Sequence, residues 1–156
     1  MMKLIQAVIL SSVVTGVASA AAPTCDPGRG VVTTRGPEPL TTQLRNVAAA
    51  RDDLLFRQGQ FDEELFVYVG CVAVGELCWH VVYLSTTWGQ SCRATHRLLV
   101  YQEDLAYVGQ YSNFSLEPVG IEGSAVIFGD GSRISFGESG PPAKVFLNGD
   151  LLEFSS

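Results

Sequence analysis

The sequence predicts a mainly β fold, a single-domain sandwich or small barrel of antiparallel hairpins with one N-terminal helix. Three observations point there. From Phe61 onward, runs dense in β-branched and aromatic residues recur at short intervals, as in Leu65-Phe66-Val67-Tyr68-Val69 and Trp79-His80-Val81-Val82-Tyr83-Leu84. Turn-forming pairs separate the runs, and Asn148-Gly149 is the strongest, because both positions accept positive φ. Eight of the 16 glycines fall in residues 109–156, a density that suits frequent tight turns rather than long helices.

In chain order, Met1 to Ala20 has the three parts of a secretory leader. Lys3 gives a positive start, Leu4 to Val17 is mostly apolar, and Ala18-Ser19-Ala20 offers a small-x-small cleavage site. The apolar stretch falls short of the roughly 20 residues that a bilayer span needs. The expected product is therefore secreted or periplasmic, with no membrane span after cleavage. Residues 21–39, rich in Pro, Gly and Thr, read as an extended lead-in, and residues 40–156 as the mainly β domain. Leu40, Leu44, Val47 and Ala48 recur at helical spacing, with Thr41 or Thr42 available as N-cap.

The β runs follow. Leu65 to Val74 and Leu77 to Leu84 pair around Gly75-Glu76; Arg97 to Tyr101 and Leu105 to Tyr111 pair around Glu103-Asp104. Shorter strands are expected at Ser124 to Phe128, Arg133 to Phe136, Lys144 to Leu147 and Leu151 to Phe154. No fixed repeat period runs through them, which argues against a solenoid or propeller.

With 156 residues, 47% apolar and 17% charged, the chain can bury a core and is not a disordered polymer. Its net charge is −6, and loss of Lys3 with the leader takes it to −7. Such a surface repels phosphate backbones and anionic membranes, so no nucleic-acid partner is expected.

All four cysteines, Cys25, Cys71, Cys78 and Cys92, follow the leader. An even count in an exported chain reads as a disulfide framework with three connectivities. A four-residue loop, Ala73 to Glu76, would set Cys71 directly opposite Cys78, within disulfide reach, and leave Cys25 to pair with Cys92. A two-residue loop would instead place Cys71 opposite His80.

Few patterns point to catalysis or cofactors. Cys78-x-His80 with Cys92-x-x-x-His96 supplies a Cys₂His₂ set, but oxidised cysteines cannot ligate a metal and the spacing matches no common zinc motif. Cys92 or Ser91 as a nucleophile lacks a surrounding signature. In each of the pairs Asp52-Asp53, Glu63-Glu64 and Glu103-Asp104, adjacent carboxylates point to opposite faces of a strand, whereas a glycosidase needs two that converge. Gly129-Asp130-Gly131-Ser132 reads as a hairpin turn rather than a calcium loop, since it carries one carboxylate. No cofactor is implied.

Aromatic residues give the remaining signal. Trp79, Val81 and Tyr83 share one strand face, and Trp88 sits among small polar residues where burial is hard to arrange. Rings with a polar tip suit recognition of a sugar or a protein surface. The expectation is an exported non-enzymatic binding or interaction module using Trp88, with Trp79 and Tyr83, for a protein or carbohydrate ligand. The competing expectations are a secreted or envelope hydrolase acting through carboxylates or His80, and a metal-handling protein. Asn113-Phe114-Ser115 is a glycosylation sequon and marks 112–115 as an exposed loop.

Overall fold

The computed structural model describes residues 31–51, 61, 63–88 and 93–156. Among them lie ten strands and one helix: β1 (Val31–Arg35), α1 (Leu40–Ala49), β2 (Glu63–Val74), β3 (Leu77–Trp88), β4 (Arg93–Tyr101), β5 (Tyr107–Ser112), β6 (Pro118–Glu122), β7 (Ala125–Phe128), β8 (Arg133–Ser135), β9 (Lys144–Leu147) and β10 (Asp150–Glu153). The expected mainly β fold with one short helix is what forms. Strands β1 to β5 make one sheet in that order, β6 to β8 a second, and β9 with β10 a third.

The central strand β3 explains the layering, because its side chains alternate between two apolar environments. Trp79, Val81 and Tyr83 point to one face, where they join Leu98, Val100 and Tyr111 beneath Val126, Phe128, Ile134, Leu147 and Leu152 of the small sheets. Val82 and Leu84 point to the other face and pack with Phe66, Leu99 and Tyr101 under Leu44 and Ala48 of α1. A strand buried on both faces carries a nearly continuous apolar run, and Val81 to Leu84 is one. Each such side chain contributes about 1.5–3 kcal/mol by leaving water.

The pairing is antiparallel from β2 to β5, but β1 joins β2 in parallel, Val31 opposite Glu63 through Arg35 opposite Val67. Parallel neighbours need a crossover connection, and α1 lies in it. Residues 31–35 of the lead-in are thus an edge strand of the main sheet. Helix α1 starts differently from expectation: Pro39 occupies the N-cap with no side-chain cap bond. Neither Thr41 nor Thr42 caps it, and Thr41 is buried in the first turn, where its amide and hydroxyl both donate to the Pro37 carbonyl at 3.1 Å. Beyond its apolar stripe, α1 is tied to the sheet by Arg45 Nε donating to Oε1 of buried Glu64 at 2.9 Å.

A β-bulge in β2 decides which residues face α1. Tyr68 opposes Val82 and Gly70 opposes Val81, so Val69 is one residue too many and the alternation shifts there. Val67, Val69 and, beyond the bulge, Val72 therefore all serve the larger core, while Cys71 turns to the α1 face. Gly70 is required at this point, since a Cβ there would lie 2.8 Å from Ile121 Cγ1.

The hairpin between β2 and β3 turns on two residues, Gly75 and Glu76, not four. Cys71 consequently opposes His80 and Ala73 opposes Cys78. The disulfide Cys71–Cys78 forms nonetheless, on the diagonal of the same face, with Cα atoms 5.7 Å apart. Strand twist brings one diagonal of a two-stranded ribbon closer than a flat ladder would. Cys25 and Cys92 lie outside the described residues, as do the Asp52-Asp53 pair and the leader. No helix among the described residues is long and apolar enough to cross a membrane.

Candidate functional site

Each histidine is held by a tyrosine, on opposite faces of the main sheet. His80, on the α1 face of β3, has Nδ1 3.0 Å from the Tyr68 hydroxyl. His96 opposes Ser85 across β3 and β4 on the other face, and its Nδ1 is 2.7 Å from the Tyr83 hydroxyl, with the two rings stacked 7° from parallel. A phenol is the natural donor and a neutral imidazole nitrogen the natural acceptor, so each tyrosine O–H donates to Nδ1. That assignment puts the imidazole proton on Nε2. Burial lowers the His80 pKa, opposed in part by the charge of Glu103, which favours the neutral ring.

His96 lines an open depression of about 530 Å³. Tyr83 and Ser85 of β3 line it with His96, together with Ser115 and Glu117 of the loop after β5 and Asp130 of the β7–β8 turn. The turn residue is well fixed: Asp130 Oδ1 accepts from the Ser132 amide at 2.9 Å and from its hydroxyl at 2.6 Å. These bonds hold the Asp130 carboxyl below its ordinary pKa. The Tyr83 phenol is pushed up to about 12, first by burial and then by the nearby Glu117 carboxylate, with the Ser85 hydroxyl pulling the other way. Val119, exposed, and Leu116 give the depression an apolar flank.

The aromatic residues expected to bind are distributed unevenly. Trp88, at the end of β3, is 40% exposed and its Nε1 donates to Thr95 Oγ1 at 3.2 Å. Trp79 and Tyr83 are only 8% and 2% exposed, because the small sheets cover the face they share. Gly140 lies against Trp79, where an added Cβ would come within 3.0 Å of the indole. Tyr83 lines the depression although it is almost fully buried, while Trp88 stands on the α1 side of the sheet.

The same geometry bears on the other chemistries. His80 and His96 sit on opposite sheet faces and Cys78 is in a disulfide, so the Cys₂His₂ set cannot meet at one ion. Among the described residues, no group of three or more His, Cys, Asp or Glu is placed to hold a metal. Glu63 is exposed while Glu64 is buried against Arg45, and Asp104 caps its own turn by accepting from the Ala106 amide at 3.0 Å. What the sequence conceals is the meeting of Ser85, His96, Ser115 and Glu117. The Ser85–His96 pairing depends on hairpin register, and Ser115 and Glu117 arrive on a loop. The sequon at 113–115 is the one local sign of exposure here: Asn113 and Ser115 are exposed, whereas Phe114 between them is buried in the core and Ser112 ends β5. Comparison with protein-family models, curated proteins and solved structures gave no match.

Proposed function

We propose that the chain is an exported, non-enzymatic binding module whose ligand surface is the end of the main sheet carrying Trp88 and the His96 depression. The leader-like first twenty residues and the Cys71–Cys78 disulfide support export. One observation carries the rest: each imidazole Nδ1 lies within hydrogen-bond distance of a tyrosine hydroxyl, 3.0 Å for His80 and 2.7 Å for His96, and a phenol donating there leaves the ring proton on Nε2. A hydrolytic base has the opposite arrangement, with Nδ1–H donating to a carboxylate and a bare Nε2 facing the nucleophile. With Nε2 protonated, the imidazole offers a ligand a donor, and its basic lone pair, on Nδ1, is already engaged by the phenol.

The hydrolase reading draws on the convergence of His96, Glu117 and Asp130 in one depression. Incubation of the disulfide-bonded protein with chromogenic esters, glycosides and a fluorogenic peptide library separates the two. The binding reading expects no turnover above buffer. Turnover that disappears in His96→Gln would overturn it. Affinity capture from culture fluid then serves as the positive arm, with Trp88→Ala expected to reduce recovery of whatever the wild-type protein retains.

A further inference from the structure

The polar groups of the His96 depression are of mixed sense, and this restricts what can sit there. With Nδ1 engaged by Tyr83, His96 has Nε2–H left to donate. Glu117 can only accept, as can the Asp130 oxygen not used by Ser132. Ser85 and Ser115 hydroxyls do either. An anionic ligand would meet two carboxylates without a lysine or arginine among the described lining residues. An ammonium group would satisfy the carboxylates but present only protons to the imidazole N–H. A hydroxyl group donates and accepts at once, and adjacent hydroxyls on a ring can bridge the His96 donor and the Glu117 acceptor. The apolar flank from Leu116 and Val119 suits the C–H face of such a ring. The volume, about 530 Å³, lies within the range of small-ligand pockets.

We infer that this depression is a binding site for a neutral saccharide unit, with His96 Nε2–H donating to one ring hydroxyl and Glu117 accepting from its neighbour. The inference rests on the binding-module reading and names its ligand class. The test is an NMR titration of the ¹⁵N-labelled, disulfide-bonded chain with glucose, galactose, mannose, N-acetylglucosamine and cellobiose. Putrescine and glucuronate are titrated in parallel as cationic and anionic comparators.

The expected result is saturable shifts of the Ser85, His96, Ser115 and Glu117 signals with at least one neutral sugar and with neither comparator. Glu117→Gln should weaken that binding about 10-fold or more, the loss of a hydrogen bond to a charged group. Ser115→Ala, at an exposed position, should weaken it about 3-fold or more without disturbing the fold. Shifts with putrescine or glucuronate alone, no shifts with any sugar, or sugar affinity indifferent to both Glu117→Gln and Ser115→Ala would each overturn the site. A ligand captured from culture fluid and lost in Trp88→Ala would still uphold the binding-module reading after such a failure.

Discussion

Replacing Arg45 with methionine should destabilise the protein by about 2–3 kcal/mol, and the reason is Glu64. Its carboxylate is 2% exposed, on the sheet face beneath α1, and receives Arg45 Nε at 2.9 Å. Methionine keeps an apolar stem of similar length on α1 while removing the guanidinium, leaving a buried charge without its partner. Breaking a fully buried pair costs about 3–5 kcal/mol. Arg45 is 27% exposed, so water screens part of the pair and the cost falls to the bottom of that range or just below it, about 2–3 kcal/mol. For a domain of this size, about 1 kcal/mol moves Tm by about 4 °C, which gives a fall of about 8–12 °C. The assay is thermal unfolding by circular dichroism at pH 7, under non-reducing conditions. Adding Glu64→Gln to the Arg45→Met variant should restore more than half of the loss, because the charge is then gone. A fall below about 3 °C, or a double variant no better than the single, would refute the assignment of Glu64 as a buried charge held by α1.

Three further outcomes follow from particular contacts. Removing the disulfide with Cys71→Ala and Cys78→Ala should lower stability by about 2.5 kcal/mol on loop-closure entropy for a sequence separation of 7, read from urea midpoints. Gly109→Ala should cost about 2 kcal/mol or more, since its Cβ would lie 2.5 Å from the Ser155 carbonyl oxygen and 2.6 Å from the Phe154 ring, where β5 meets Ser155 through the Gln110 hydrogen bonds. Tyrosinate absorbance should show Tyr68, Tyr83, Tyr101 and Tyr111 titrating above the ordinary value of 10, burial being the leading cause for each. The unfolded chain loses phenolic protons first, so this stability is complete below pH 10 and declines as pH climbs toward about 12, the Tyr83 value. Ordinary titration of all four phenols in the folded protein would contradict it.

The strands that carry the fold were legible wherever β-branched and aromatic residues crowd together. Runs around 65–74, 77–84 and 97–101 became β2, β3 and β4, and Asn148-Gly149 became a turn with both φ values positive. Two strands escaped notice for a common reason. Val31–Arg35 is hemmed by Gly30 and Gly36-Pro37, and Pro118–Glu122 begins with proline and contains Gly120, so turn chemistry hid short strands that tertiary pairing stabilises. The β2–β3 loop length was left open in the sequence, and a two-residue turn put Cys71 opposite His80 while strand twist still let the disulfide close diagonally.

The site was half legible. Trp88 could be placed at the surface from its small polar neighbours, but the face shared by Trp79 and Tyr83 did not disclose what covers it. Periodicity assigns side chains to a face and is silent on whether that face meets water or another sheet. The encounter of His96 with Tyr83, Ser85 and Glu117 needs both the β3–β4 register and the path of the loop after β5, neither of which a local pattern encodes.

The most direct test is the tautomer of His96. Long-range ¹H–¹⁵N correlation on the folded protein at pH 7.5 distinguishes a protonated from an unprotonated ring nitrogen. A His96 that carries its proton on Nε2 and accepts at Nδ1 from Tyr83, with the pattern lost in Tyr83→Phe, is the expected result. A proton on Nδ1 and a bare Nε2 directed at Ser85 or Ser115 would describe a general base, and the account of a module that binds without catalysing would be wrong.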